Sequence, residues 1–173
     1  MRSFVLAALA ACSSPKSPAP TTVSTPPPAA PDAALDAFVD TELAAAPPAV
    51  FRYSADPRAE TWTLRHVAGR AELVVEAKTK TVFTGTAVES GGSLKIEVAT
   101  ANAKQSLDCK RDKLAVVPAT AAIKKCAFDP AKTSQVEVLA CRVPGFDVPM
   151  PFGSPGVEYV QAAGCTSGGY RSL

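Results

Sequence analysis

The sequence has few of the residues and motifs on which most enzymes depend. It contains one histidine, His66, one tryptophan and only 6% aromatic residues. It has no HExxH, P-loop or GxGxxG pattern, and no GxSxG elbow that would present a nucleophilic serine. A Ser-His-Asp or Cys-His arrangement would have to use His66. We therefore expect a protein that is not an enzyme and carries no cofactor, with a hydrolase that uses His66 as a distant alternative.

The sequence also lacks a strong charge of either sign and a long apolar segment near its start. Residues 49–173 carry 16 basic and 12 acidic side chains. This excess is far below the dense basic surface of a dedicated nucleic-acid-binding domain, so no nucleic-acid partner is expected. The N-terminal apolar run, residues 4–11, has eight residues, whereas a helix that spans a bilayer needs about 20. This run is therefore not a transmembrane helix.

A short apolar run that follows a basic residue, here Arg2, is typical of a secretory signal peptide. The run ends in Leu9-Ala10-Ala11-Cys12, which resembles the lipobox of bacterial lipoproteins. The resemblance implies cleavage before Cys12, a diacylglycerol on its thiol and acylation of the new amino terminus. Ser13 stands where an Asp would mark retention in the inner membrane. We therefore expect a signal peptide over residues 1–11 and an exported protein anchored through Cys12, in the outer membrane.

Residues 12–31 are expected to be the lipidated N-terminus and its linker. The stretch from Ser13 is rich in Pro, Ser and Thr and has no aromatic residue. Such a composition cannot bury enough apolar surface to offset its conformational entropy. Proline-rich chains favour an extended conformation, so this segment is expected to be a spacer between the lipid and the folded domain.

A short helix is expected over residues 32–46. Asp32 is a good N-cap, and Pro47 and Pro48 prevent the helix from continuing. Apolar residues recur on one face at helical spacing, which predicts that the helix docks on the domain. These residues are Leu35, Phe38, Val39 and Leu43.

Residues 49–173 are expected to form a mainly β domain. Leu94, Ile96 and Val98 alternate with polar residues, and similar alternation recurs in seven to nine short segments. Gly91-Gly92 between two of them predicts a tight hairpin. The pattern favours an antiparallel meander, a small barrel or a sandwich. Residues 110–113 are interpreted as a polar turn between two strands, and the Pro/Gly-rich tail from residue 144 as a loop.

Four cysteines remain once Cys12 is assigned to lipid, and an even number in an exported domain predicts two disulfides. Three pairings are conceivable, and we favour Cys109 with Cys126 and Cys141 with Cys165, because each closes a modest loop. A four-cysteine zinc site is the alternative, but the sequence has no CxxC spacing to support it. No metal is expected.

One local excess of positive charge stands out between residues 104 and 132, where seven basic side chains accompany three acidic ones. A cationic patch could contact an anionic envelope component or a protein partner. The alternative is solvated turns and strand-edge lysines that oppose aggregation. The candidate contact residues are Lys110, Arg111, Lys113, Lys124 and Lys125.

Together these features predict a non-enzymatic, membrane-tethered module of the cell envelope that acts in binding or assembly. The alternative is a carrier of a small apolar ligand, if the sheet closes into a barrel with an open apolar mouth.

Overall fold

The computed structural model describes residues 41–55, 58–129 and 132–173. What was expected of residues 1–40, including the anchor and most of the N-terminal helix, lies outside this described part. Within it the chain forms a helical segment at residues 41–45 and ten strands, which confirms the mainly β fold. The strands are β1 (Ala49–Ala55), β2 (Arg58–Val67), β3 (Arg70–Glu76), β4 (Lys80–Ser90), β5 (Ser93–Ala99), β6 (Lys104–Val116), β7 (Ser134–Arg142), β8 (Met150–Gly153), β9 (Val157–Gln161) and β10 (Gly169–Ser172).

Strands β1 to β8 form an antiparallel meander that closes into an eight-stranded barrel. Each strand pairs with the next strand along the chain. The barrel closes where Val50 of β1 lies opposite Gly153 of β8. Beyond that point β9 replaces β8 along β1 as a parallel neighbour, with Phe51 opposite Val157. β10 then pairs with β9, so the last two strands form a ribbon attached to the barrel seam.

Apolar side chains fill the middle of the barrel. On β5 the expected alternation is confirmed, because Leu94, Ile96 and Val98 are buried whereas the polar residues between them are exposed. Burying a side chain of this size stabilises the fold by roughly 2 kcal/mol. The same inner face carries fully buried residues on β2, β3, β5 and β6, namely Leu64, Leu73, Ile96 and Leu107.

The hairpin expected at Gly91-Gly92 is confirmed between β4 and β5. Ser90 lies opposite Ser93, which leaves the two glycines as a two-residue loop. Both glycines have positive φ angles, 58° and 77°. A two-residue loop that matches the right-handed twist of the strands needs positive φ at both positions, and glycine adopts this conformation without steric strain.

One end of the barrel is covered by aromatic packing. Phe146, in the loop between β7 and β8, packs edge-on against Trp62 with 5.7 Å between ring centroids. The guanidinium of Arg58, at the start of β2, lies 4.6 Å from the centroid of the Phe146 ring. These contacts place the loop over the end of the barrel where β2 begins.

The turn expected at residues 110–113 is wrong, because β6 runs without interruption through this segment. Its first half pairs with β5 and its second half with β7. The polar run looked like a turn because charged residues occupy both faces of the strand there. The run marks a change in which face is buried and does not mark a change in chain direction.

The pairing favoured for the cysteines is also wrong. The disulfides join Cys109 to Cys141 and Cys126 to Cys165. Because β6 is continuous and pairs with β7, Cys109 lies directly opposite Cys141 in the ladder. The four cysteines are therefore engaged in disulfides rather than in a zinc site, and the two expected bridges are present. Disulfides persist in oxidising compartments, so this is an exported protein.

The tail from residue 144 contains β8, β9 and β10 in addition to loops, which differs from the expectation of a loop alone. These strands have only four or five residues, so they show little alternation. They close the barrel and extend it at the seam. At the other end of the domain sequence, Leu43 of the helical segment is buried, which agrees with docking of the expected helix.

Candidate functional site

The end of the barrel opposite Phe146 holds a cavity of about 420 Å³, which we call the mouth cavity. It lies where the β4–β5 hairpin turns and where β2 ends. Its floor is apolar, because it consists of core side chains from several strands and one half of a disulfide. The floor residues are Ala49, Leu94, Cys109, Leu139 and Phe152.

β6 builds one wall of the mouth cavity because it continues past its neighbour. Its pairing with β5 ends at Lys110, opposite Ser93. Residues 111–116, which we call the β6 extension, pair with β7 instead. The inward positions of the extension are Arg111 and Lys113, and both line the cavity. The wall is therefore charged directly above an apolar floor.

The opposite face of the β6 extension is apolar and covered. Val116 packs with Val138 of β7 and Val157 of β9 in a small second core, against which Leu114 and Tyr170 also pack. Backbone bonds hold this contact, since Val117 donates to the Tyr170 carbonyl and accepts from the Ser172 amide. The buried face of β6 thus switches from inside the barrel to outside it. This switch leaves charged side chains on the face that lines the mouth.

The mouth cavity carries charges of both signs. Lys113 lies opposite Glu137 in the β6–β7 ladder, and Glu89 lines the cavity from the end of β4. Among the described residues, none of these side chains, nor Arg111, has an ion-pair partner within 4 Å. Asp112 also borders the cavity, but its carboxylate accepts a 2.7 Å hydrogen bond from the Lys113 amide.

His66 lies at the end of β2 and lines the same cavity. Its pKa is lowered from 6.5, first because half-burial of the ring penalises the imidazolium and then because of the nearby Arg111 charge. Glu89 acts in the opposite direction and raises this pKa. The imidazole is therefore mostly uncharged at neutral pH. Arg111 and Glu89 line the same cavity as His66.

We expect the stability of the protein to fall below pH 6.5 because of His66. A lowered pKa means that the unfolded chain binds the proton more tightly than the folded protein does. The contribution of His66 to the free energy of unfolding is therefore present above pH 6.5 and is lost as the pH falls towards the pKa of the folded protein. Since His66 is the only histidine, a His66→Gln variant should lack this component between about pH 7 and pH 5.5, above the range in which carboxylates titrate. Urea unfolding at each pH measures it. The same pH dependence in both proteins would contradict the assignment.

The five residues proposed for a cationic patch do not line one site. Arg111 and Lys113 line the mouth cavity, whereas Lys110 occupies an outward position of β6. Lys124 lines a separate surface groove in the β6–β7 connection, together with Phe128. Lys125 is exposed beside Lys124. Contact of these five residues with an anionic partner stays a prediction.

A catalytic use of His66 receives no support from its neighbours. Ser154 lines the same cavity and is the only serine to do so among the described lining residues. Neither its side chain nor that of His66 forms a hydrogen bond with another described residue. A nucleophilic serine needs a base within about 3 Å, so no nucleophile is paired with a base here. In the described ranges no cluster of three His, Cys, Asp or Glu residues could hold a metal ion.

Comparison with known proteins does not assign the chain to a family. No protein-family model matches it, and no curated protein or solved structure is significantly similar. The function must therefore be inferred from the geometry of the chain itself. Within the described residues, no helix is both long and apolar enough to cross a membrane.

Several residues of the mouth cavity were missed by the sequence analysis. Glu89, Glu137 and Phe152 lie on three different strands and meet only when the barrel closes. A signal in β6 could have indicated the cavity. After Cys109 the inward positions carry charged residues, and from Leu114 onward the apolar residues stand at outward positions instead. This inversion indicates where a strand leaves the packed interior.

Proposed function

We propose that this protein binds a small ligand in the mouth cavity, as an exported domain tethered to a membrane through lipid on Cys12. One observation carries the proposal: an apolar floor lies at the open end of a closed barrel, beneath a charged rim. Small-molecule sites are typically concave and mostly apolar, with a few polar groups that fix orientation. The sequence predicts such a carrier of a small ligand as the alternative function, on the condition that the sheet closes into a barrel with an open apolar mouth.

The packing of the barrel supports a ligand confined to the mouth. Leu64, Leu73 and Leu107 fill the interior below the floor and are at most 1% exposed. A long acyl chain would have to displace them, at a cost of several kcal/mol. The cavity volume of about 420 Å³ lies near the lower end of the range for ligand sites. The proposed ligand is therefore compact and enters only at the rim.

The tether and its location are part of the proposal. Cys12 would carry the lipid, and residues 13–31 would act as a spacer with a reach of up to roughly 60 Å if fully extended. The absence of Asp after Cys12 supports the outer membrane. A tethered domain on a long spacer can meet a soluble ligand while it stays at the envelope.

We expect the neutral apolar fluorophore N-phenyl-1-naphthylamine to bind the mouth cavity of the full-length Cys12→Ser protein. Leu139→Trp should weaken this binding at least about tenfold, because the larger ring fills the cavity from its β7 wall. The matched control is Val88→Trp on the outer face of β4, where the side chain is 58% exposed. Fluorescence titration gives the affinities, and near-ultraviolet circular dichroism verifies that each variant is folded.

Two results would overturn the proposal. The fluorophore could fail to bind the folded protein, or Val88→Trp could weaken binding as much as Leu139→Trp. Backbone amide shifts from nuclear magnetic resonance, confined to residues that line the cavity, would locate the fluorophore independently of the variants.

A further inference from the structure

Five charged side chains line the mouth cavity, and the Asp112 carboxylate among them accepts a hydrogen bond from the Lys113 amide. The other four form two pairs of opposite sign, and these pairs point to the class of ligand. Arg111 and Glu89 line the cavity together with His66, and Lys113 lies opposite Glu137 in the β6–β7 ladder. None of the four is neutralised by an ion pair within the described structure. Both signs are therefore available to a ligand at the same opening.

This arrangement discriminates between ligands by repulsion as well as by attraction. An acidic amphiphile attracted to Arg111 would bring its charge towards Glu89 and Glu137. A basic amphiphile attracted to the carboxylates would meet Arg111 and Lys113. Like charges placed together at a binding site penalise the wrong ligand, whereas complementary charges orient the right one.

We propose that the mouth cavity binds a small zwitterion with an apolar side chain, of the class of apolar amino acids and dipeptides. The carboxylate would contact Arg111 and Lys113, the ammonium would contact Glu89 and Glu137, and the side chain would rest on the floor. This proposal rests on the proposed function, since it names the ligand of the same cavity. The filled interior disfavours zwitterionic lipids, because their acyl chains need a deeper site.

The test uses four peptides that share the leucyl-leucine core and differ in which ends are charged and which are blocked. Leucyl-leucine carries both charges, N-acetyl-leucyl-leucine only the negative one, leucyl-leucine amide only the positive one, and N-acetyl-leucyl-leucine amide neither. We expect leucyl-leucine to bind the full-length Cys12→Ser protein at least about tenfold more tightly than the other three, because each blocked end loses a charge-assisted hydrogen bond. Isothermal titration calorimetry measures the four affinities.

Variants then assign each end of the peptide. Arg111→Gln with Lys113→Gln should weaken the binding of leucyl-leucine and should strengthen that of leucyl-leucine amide, because the amide's ammonium no longer meets like charges. The preference of the protein for leucyl-leucine over the amide should therefore disappear. Glu89→Gln with Glu137→Gln should weaken the binding of leucyl-leucine and should remove its preference over N-acetyl-leucyl-leucine. The matched control is Lys95→Gln with Glu97→Gln, which removes one charge of each sign from the exposed outer face of β5.

The outcomes separate this inference from the proposed function. An end-blocked peptide that binds as tightly as leucyl-leucine would overturn the zwitterion, as would variants that leave leucyl-leucine binding unchanged. In both cases, binding of the neutral fluorophore would still support the proposed function, which is ligand binding in the mouth cavity. If neither the fluorophore nor leucyl-leucine binds the folded protein, both proposals are wrong.

Discussion

A Cys12→Ser variant is expected to lose lipid labelling completely and to move from the membrane to the soluble fraction. Lipid transfer requires the thiol as nucleophile, and serine cannot replace it there. Each buried methylene contributes about 0.8 kcal/mol to membrane binding, so a single acyl chain binds only marginally whereas two or more chains anchor stably. The change is therefore close to all or none. Metabolic labelling with an alkyne fatty acid and fractionation after a high-salt wash measure it.

The Ser13→Ala variant is the matched control for this experiment. It alters the neighbouring residue but keeps the thiol, so labelling and membrane association should match those of the native protein. High salt removes proteins that are held only by surface charge, because screening weakens such contacts. Retention of the Cys12→Ser protein on salt-washed membranes would contradict the assignment of a lipid anchor to Cys12.

Much of the barrel could be anticipated from local pattern, but its closure could not. Period-two alternation identified β5, and Gly91-Gly92 identified the turn before it, because both signals lie within a few residues. β6 was divided in two because its buried face changes side near Lys113, and a simple alternation rule expects one buried face. β8 to β10 are too short to alternate visibly. β8 and β9 pair with β1, which precedes them by about a hundred residues, and β10 pairs with β9.

The mouth cavity illustrates the same limit on a finer scale. Arg111 and Lys113 were singled out from the sequence as part of a cationic surface. The acidic side chains that line the cavity with them, Glu89 and Glu137, come from two other strands, β4 and β7. Two members of a basic run in the sequence therefore line a site that also contains acidic side chains. Only the register of the barrel strands reveals that the two signs meet.

The two disulfides are expected to differ in how much they stabilise the protein, although they close loops of similar size. Their sequence separations are 32 and 39 residues. The loop-entropy estimate for either is about 4 kcal/mol. Cys109 and Cys141 are at most 1% exposed, in the barrel core, whereas Cys126 and Cys165 are partly exposed in loops. Replacing the core pair therefore removes packed sulfur atoms as well as the cross-link.

We expect Cys126→Ala with Cys165→Ala to lower the free energy of unfolding by about 4 kcal/mol, and Cys109→Ala with Cys141→Ala to lower it by roughly 2 kcal/mol more, because the missing atoms leave a cavity among core side chains. A domain of this size is stable by only about 5–15 kcal/mol, so the core variant should lose a large part of the stability of the protein. Urea unfolding of both variants without reductant measures the difference, and mass spectrometry of non-reduced digests confirms which bridge remains. A larger loss from the loop pair would mean that the β6–β7 connection, rather than the barrel core, depends most on its cross-link.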